Sequence, residues 1–123
     1  MTKTITIGGT PIKMTASAAT AYRFKQIFKA DILKELAADH GADTEAQGWE
    51  LMDMATKLAF VMQAQAGEED IARLSEERFL AWLDGFAPAD FLDEGTLLEI
   101  LRLFNGDAPS VEAKKNTQPQ PGN

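Results

Sequence analysis

The chain has 123 residues, 45% of them hydrophobic, which is enough for one domain with a substantial core and too few for two. Its net charge of −7 disfavours general attraction to nucleic acid, and the absence of cysteine excludes disulfides, thiolate catalysis and Cys-ligated zinc. The N-terminus is unlike a signal peptide, and no apolar run reaches the roughly 18 residues that a membrane span requires. We therefore expect a soluble, cytosolic protein without membrane contact.

A β-hairpin is predicted at the N-terminus, where residues 3–7 and 10–14 alternate polar and apolar side chains with the period of a strand. Gly8 and Gly9 provide a tight turn between them and are too few for a phosphate-binding loop. Pro11 cannot donate a ladder hydrogen bond, so the second strand either lies at an edge or begins after Pro11. Because an isolated hairpin is only marginally stable, we expect it to pack against the helices that follow.

The first helix is predicted over residues 16–28, with Thr15 or Ser17 as its N-cap. Phe24 and Phe28 dominate its apolar face, since they lie one turn apart. We expect this face to point to the core and the basic side chains to point outward.

A break in the chain is predicted near Ala30. If the first helix continued to residue 36, Leu33 would point away from the apolar face, and a break removes this conflict. Asp31 is then the N-cap of a second helix over residues 32–40, which ends at Gly41. The apolar side of this second helix consists of Ile32, Leu33, Leu36 and Ala37.

Residues 46–66 predict the central helix, because apolar side chains occupy most of its circumference and such a helix is normally buried. These side chains are Trp49, Leu51, Met52, Met54, Leu58, Phe60, Val61 and Met62. The three methionines leave a second interpretation open, an adaptable peptide-binding surface.

Two further helices are predicted. Ser75 caps a short, strongly apolar helix over residues 76–86, and acidic residues in its first turn favour the helix dipole. The last helix covers residues 88–105, begins with a proline and ends at Gly106. Gly95 weakens this last helix and can divide it in two.

The sequence predicts one α+β domain, mostly α, over residues 1–106: an N-terminal β-hairpin packed on a bundle of about five helices. Residues 107–123 are rich in Pro, Gln and Asn, contain no aromatic residue and show no periodicity. They predict a disordered C-terminal tail.

No catalytic, metal or cofactor site is predicted. The single histidine, His40, precedes Gly41 and is interpreted as a residue at a helix end rather than as a ligand. The acidic segment 67–77 lacks the ligand alternation of a calcium loop and is interpreted as solvated. We therefore expect a protein that is not an enzyme.

Charge is unevenly distributed along the chain. Residues 20–36 carry four basic and two acidic side chains, whereas residues 45–104 carry thirteen acidic and four basic ones. The basic segment also contains aromatic residues, but at helical spacing these indicate a core face rather than a nucleic-acid surface. Its positive side is left with three possible partners: the acidic helices of the same chain, another copy, or a different protein.

The order of these elements resembles the tail assembly chaperones of long-tailed phages and prophages, especially those of Gram-positive hosts. The match in the aromatic and basic segment consists of Ala21, Tyr22, Arg23, Phe28, Asp31, Ile32, Leu33 and Lys34. Lys29 and Ala30 stand where the family commonly has a glycine. Phe104-Asn105-Gly106 resembles the end of the family's last helix, and the likeness extends over residues 3–106.

This resemblance implies a non-enzymatic protein of the infected host's cytoplasm that leaves before the virion is mature. Its partners would be the tape measure protein, which it keeps soluble, and the tail tube protein, whose subunits it helps to recruit. Such genes often produce a longer second product by programmed ribosomal frameshifting. Lys114-Lys115-Asn116 is compatible with a slippery codon run, which sequencing of the gene would test.

An apolar groove on the last two helices would suit a helical partner with anchors three and four residues apart. The candidate partner-binding residues are Phe79, Trp82, Phe86, Leu97, Leu101 and Phe104. Ordinary core packing is the alternative for each of them. A different function also fits an acidic helical chain: a small adaptor or regulatory protein such as a toxin neutraliser.

Overall fold

A computed structural model describes residues 1–32, 34 and 44–106. It contains an antiparallel hairpin followed by helices, which confirms the predicted mostly α, α+β class. The described elements are β1 (Thr2–Ile7), β2 (Thr10–Thr15), α1 (Ala19–Phe28), α2 (Thr44–Ala66), a 3-10 turn (Ile71–Arg73), α3 (Glu76–Leu83), α4 (Pro88–Leu92) and α5 (Glu94–Asn105).

The hairpin has the predicted position and turn. Gly8 and Gly9 have φ angles of 57° and 83°, as in the two-residue turns that match the twist of paired strands. The second strand begins before Pro11, which pairs with Thr6, and in a two-stranded sheet both strands are edges. Alternate side chains point inward, so that the buried residues Ile5, Ile7 and Met14 face the helices.

The predicted start of α1 is wrong by three residues. The backbone of Ala16 exchanges two hydrogen bonds of 2.8 Å with Met1, so the strand pairing continues through this residue and the helix begins at Ala19. The predicted N-cap is also wrong, because Ala18 occupies this position without a side-chain cap; Ser17 Oγ lies one residue earlier and accepts a hydrogen bond from the Ala19 amide. Phe24 and Phe28 are buried, as predicted.

The predicted break lies where α1 ends. Lys29 has a left-handed backbone (φ 57°), and its amide donates to the carbonyl of Lys25. Asp31 Oδ1 then accepts a hydrogen bond from the Lys34 amide, as an N-cap does, and Ile32 is buried. Leu33, Leu36, Ala37, His40 and Gly41, on which the rest of the predicted second helix depends, lie outside the described residues.

Helix α2 is the centre of the fold. It packs against β2, α1 and α5, and its second half is buried on nearly every side. The buried apolar residues of this half are Ala55, Leu58, Ala59, Phe60, Val61, Met62 and Ala64, and Thr56 is buried with them. The first half differs from the prediction, because Trp49 is 64% exposed and Met52 is half-buried.

The C-terminal helices begin and end at the predicted caps Ser75 and Gly106, but the helix predicted over residues 76–86 ends earlier, at Leu83. Ser75 Oγ accepts from the Arg78 amide at 3.1 Å and starts α3, and Gly106, with φ 78°, ends α5. The predicted helix over residues 88–105 is divided, but at Asp93 rather than Gly95. Asp93 is extended and its Oδ1 caps the Gly95 amide, so α5 has its own start. The 3-10 turn, capped by Asp70, was not predicted.

Polar contacts fix the hairpin and α1 on the helices. Thr20 is fully buried; its Oγ1 accepts from the Ser17 amide at 2.9 Å and donates to Gln65 Oε1 of α2 at 3.1 Å. Lys3 of β1 forms a 3.1 Å ion pair with Glu99 of α5. These contacts join α1 to α2 and β1 to α5. The candidate site lies elsewhere, between α2, α3 and α4.

Candidate functional site

A solvent-open groove lies between the first half of α2 and the segment formed by α3 and the start of α4. Its volume is about 540 Å³, and its lining is mainly apolar. The lining residues are Trp49, Met52, Asp53, Thr56, Phe79, Leu80, Leu83, Asp84, Phe86, Ala87, Pro88 and Phe91. Helical spacing explains the α2 wall, because Trp49, Met52 and Thr56 are three or four residues apart.

The α3 wall combines a buried floor with an exposed rim. Phe79 is 6% exposed, whereas the adjacent Leu80 is 59% exposed. Since consecutive residues of a helix point about 100° apart, one of them enters the core and the other faces the groove mouth. Together with the exposed Trp49 across the groove, Leu80 provides apolar surface that the described part of the chain leaves open to water.

A continuous aromatic cluster supports the floor of the groove. Phe79 stacks edge-on against Phe28 at 5.1 Å and lies 5.6 Å from Phe60. Trp82 lies 5.1 Å from Phe86. Through Phe91, which is 5.3 Å from Phe86, the cluster also includes α4. Edge-to-face rings at these separations attract one another beyond their burial, so these contacts stabilise the floor, whereas Trp49 and Leu80 at the rim are exposed.

Among the described residues, those that line the groove include negative but no positive side chains. Asp53 forms an ion pair with Lys57, with Oδ2 and Nζ 3.1 Å apart. The same Nζ lies 5.3 Å from the centre of the Phe28 ring. Asp84 is exposed, and it forms no ion pair with any described residue. The site can therefore bury apolar side chains beside an unneutralised carboxylate.

The structure divides the six predicted partner-binding residues. Phe79 and Phe86 line the groove, but Phe79 forms its buried floor. Trp82 does not line the groove; it packs on Phe60 and lines a separate depression beside the hairpin. Leu97 is buried, and Leu101 and Phe104 are half-buried against the core. A single surface containing all six residues is therefore absent from the described structure.

The sequence does not identify the two large apolar residues that are exposed in the groove, Trp49 and Leu80. The apolar circumference of α2 predicts a buried Trp49, and Leu80 is predicted only as part of an apolar helix. The signal was present in α3: Phe79 and Leu83 form a one-turn stripe that accounts for the core contact. Leu80 lies beside that stripe without a core role.

The residues that carry the family resemblance have mixed environments. Tyr22 is 76% exposed, Phe28 and Ile32 are buried, and Asp31 caps the chain after the break. Arg23 is half-buried, and its Nε has no hydrogen-bond partner. Lys34 is exposed, and Leu33 lies outside the described residues.

The positive side of α1 does not meet the acidic helices within the described structure. Arg23, Lys25 and Lys29 form no ion pair with a described acidic residue, and Lys29 Nζ instead donates to the Gln26 carbonyl.

The described residues contain no group of three or more His, Asp or Glu side chains placed to hold a metal ion. Among the described helices, none combines the length and the apolar character needed to cross a lipid bilayer. Comparison of the chain with protein-family models, with curated proteins and with solved structures finds no match.

Proposed function

We propose that this protein is a phage tail assembly chaperone that binds the tape measure protein and helps to recruit tail tube subunits. It acts in the host cytoplasm without catalysing a reaction, and it leaves before the virion is complete. The proposal combines the resemblance in the order of elements with the groove between α2 and α3. The groove is the observation that carries it.

The groove suits the shielding of an apolar helix. Its length follows α2 from Trp49 to Thr56, two helical turns, and its exposed rim residues can cover apolar anchors three and four residues apart. Burying one large apolar side chain contributes about 1.5–3 kcal/mol. A few such anchors keep a long apolar chain from aggregating while the contact stays reversible, as a chaperone requires.

Co-expression with the tape measure protein of the same genetic locus tests this function. We expect the tape measure protein to be recovered in the soluble fraction and to co-purify with this chain. The matched control is the same tape measure protein expressed alone, which we expect to be insoluble. If it stays insoluble with this chain present and no complex is recovered, the proposed function is wrong.

Gene order gives a second, independent test. A tail tube gene upstream and a very long tape measure gene downstream would support the chaperone. A neighbouring toxin gene, with neither of these tail genes nearby, would instead support the adaptor or toxin-neutralising function considered from the sequence.

A further inference from the structure

We infer that the groove selects amphipathic helices whose apolar stripe is flanked by lysine or arginine. This inference deepens the proposed function and rests on it only for the claim that the occupant belongs to a tail protein. The chemistry of the occupant is argued from the charge and exposure of the groove itself.

The apolar rim residue of α3 lies between two carboxylates. Glu76 and Asp84 are four residues before and after Leu80, so all three lie on one face of α3, and all three are exposed. Asp84 lines the groove and has no described cationic partner. A partner side chain that covers Leu80 therefore places its neighbours beside the Asp84 carboxylate, which attracts a cation and repels an anion, and Glu76 adds negative charge one turn away.

The α2 wall also places an exposed apolar residue near a carboxylate, but this carboxylate is neutralised by an ion pair. Asp53 follows Trp49 by one turn and lines the groove, and its carboxylate is paired with Lys57. The unneutralised charge is thus concentrated on the α3 side. An amphipathic helix with lysine or arginine along one edge of its apolar stripe is therefore complementary in charge to the groove. It binds best when that basic edge faces α3.

A second folded copy does not match this groove. The large apolar side chains exposed outside it in the described structure are Met1, Tyr22, Leu92 and Leu98. They belong to four separate segments of the fold and form no helical stripe, and the net charge of −7 makes two copies repel. The occupant that matches both the apolar rim and the free carboxylate of the groove is a different chain, one that combines an apolar stripe with positive charge.

Two synthetic peptides of about 18 residues test this inference, long enough for about five helical turns. Both carry the same leucine stripe; one is flanked by lysine and the other by glutamate. Binding to the full chain is measured by the fluorescence anisotropy of labelled peptide. We expect the lysine peptide to bind at least about tenfold more tightly. Equal binding of the two peptides, or no binding of either, would overturn the inference.

Two charge reversals separate the groove from the overall field of the protein. Asp84→Lys is expected to weaken binding of the lysine peptide about threefold to tenfold. The control, Glu68→Lys, makes the same change in net charge at an exposed position beyond the far end of α2 and is expected to change binding by less than about twofold at physiological salt. Equal weakening by the two variants would show that only net charge acts, and would contradict the inference.

Sedimentation of the full chain tests the remaining occupant. We expect a monomer, and a dimer that Leu80→Lys dissociates would assign the groove to a second copy instead.

Failure of these experiments is distinguishable from failure of the proposed function. The peptides contain no tail-protein sequence, so they can bind as expected even if the tape measure protein does not. Conversely, co-expression can succeed through another surface.

Discussion

The ring of Phe79 lies 5.1 Å from the ring of Phe28 and is turned 82° to it, which joins α3 to α1 across the interior of the domain. Phe79 and its neighbour Leu80 therefore have different roles in α3. Phe79 is part of the core that holds the groove in shape, whereas Leu80 is part of the surface that a partner can cover.

Replacing Phe79 by alanine should therefore cost much stability, and replacing Leu80 by alanine should cost little. Phe79→Ala removes a ring packed on Phe28 and Phe60, and we expect the free energy of unfolding to fall by about 3–5 kcal/mol. Leu80→Ala should change it by no more than about 0.5 kcal/mol, since the side chain is mainly in water. Urea unfolding followed by circular dichroism measures both. A large loss of stability in Leu80→Ala would show that Leu80 belongs to the core.

The hairpin turn provides a second matched pair. A Cβ atom at Gly8 would clash with the carboxylate of Asp90, whereas one at Gly9 would meet no atom within 4 Å. Both glycines have positive φ angles, so alanine costs roughly 1–2 kcal/mol at either position. Gly8→Ala should lose about a further 0.5–2 kcal/mol, because the Asp90 carboxylate must move away from the Ala87 amide that it caps at 2.8 Å. Equal thermal unfolding of the two variants would contradict the close approach of the hairpin to Asp90.

Thr20 tests the polar link between α1 and α2. Thr20→Val keeps the shape of the side chain but leaves the Ser17 amide and Gln65 Oε1 without this hydroxyl. We expect a loss of about 1–3 kcal/mol in the free energy of unfolding. The control is Thr4→Val, an exposed position on β1, where a change below about 0.5 kcal/mol is expected. A neutral Thr20→Val variant would show that the hydroxyl contributes nothing to stability.

Local signals in the sequence were sufficient for most of the fold. The alternation around Gly8 and Gly9, the cap at Ser75 and the glycine at residue 106 each determine a boundary through contacts within a few residues. The start of α1 was misplaced because Ala16 is held by a distant partner, Met1, in the strand ladder. Contacts between residues far apart in sequence are not visible in a local pattern.

The candidate site was harder to predict for the same reason. Apolar composition indicated that Phe79 and Phe86 are important, but not whether each one packs inward or faces a partner. Trp49 and Leu80 form opposite rims of one groove only because α3 folds back on α2, a tertiary contact supported by the Phe60–Phe79 ring pair. The sequence identifies the apolar residues of these helices, and tertiary packing determines which of them stay exposed.

The central claim is that the groove holds the tape measure protein. It is tested most directly by co-expressing that protein with Leu80→Lys and with a control, Leu92→Lys, which makes the same substitution at an exposed residue of α4 that does not line the groove. Both variants should fold, because their side chains are mainly in water and lysine at residue 80 lies one turn from Glu76 and Asp84. We expect soluble tape measure protein with the wild type and with Leu92→Lys, and aggregation with Leu80→Lys. Full solubility with Leu80→Lys would contradict the claim.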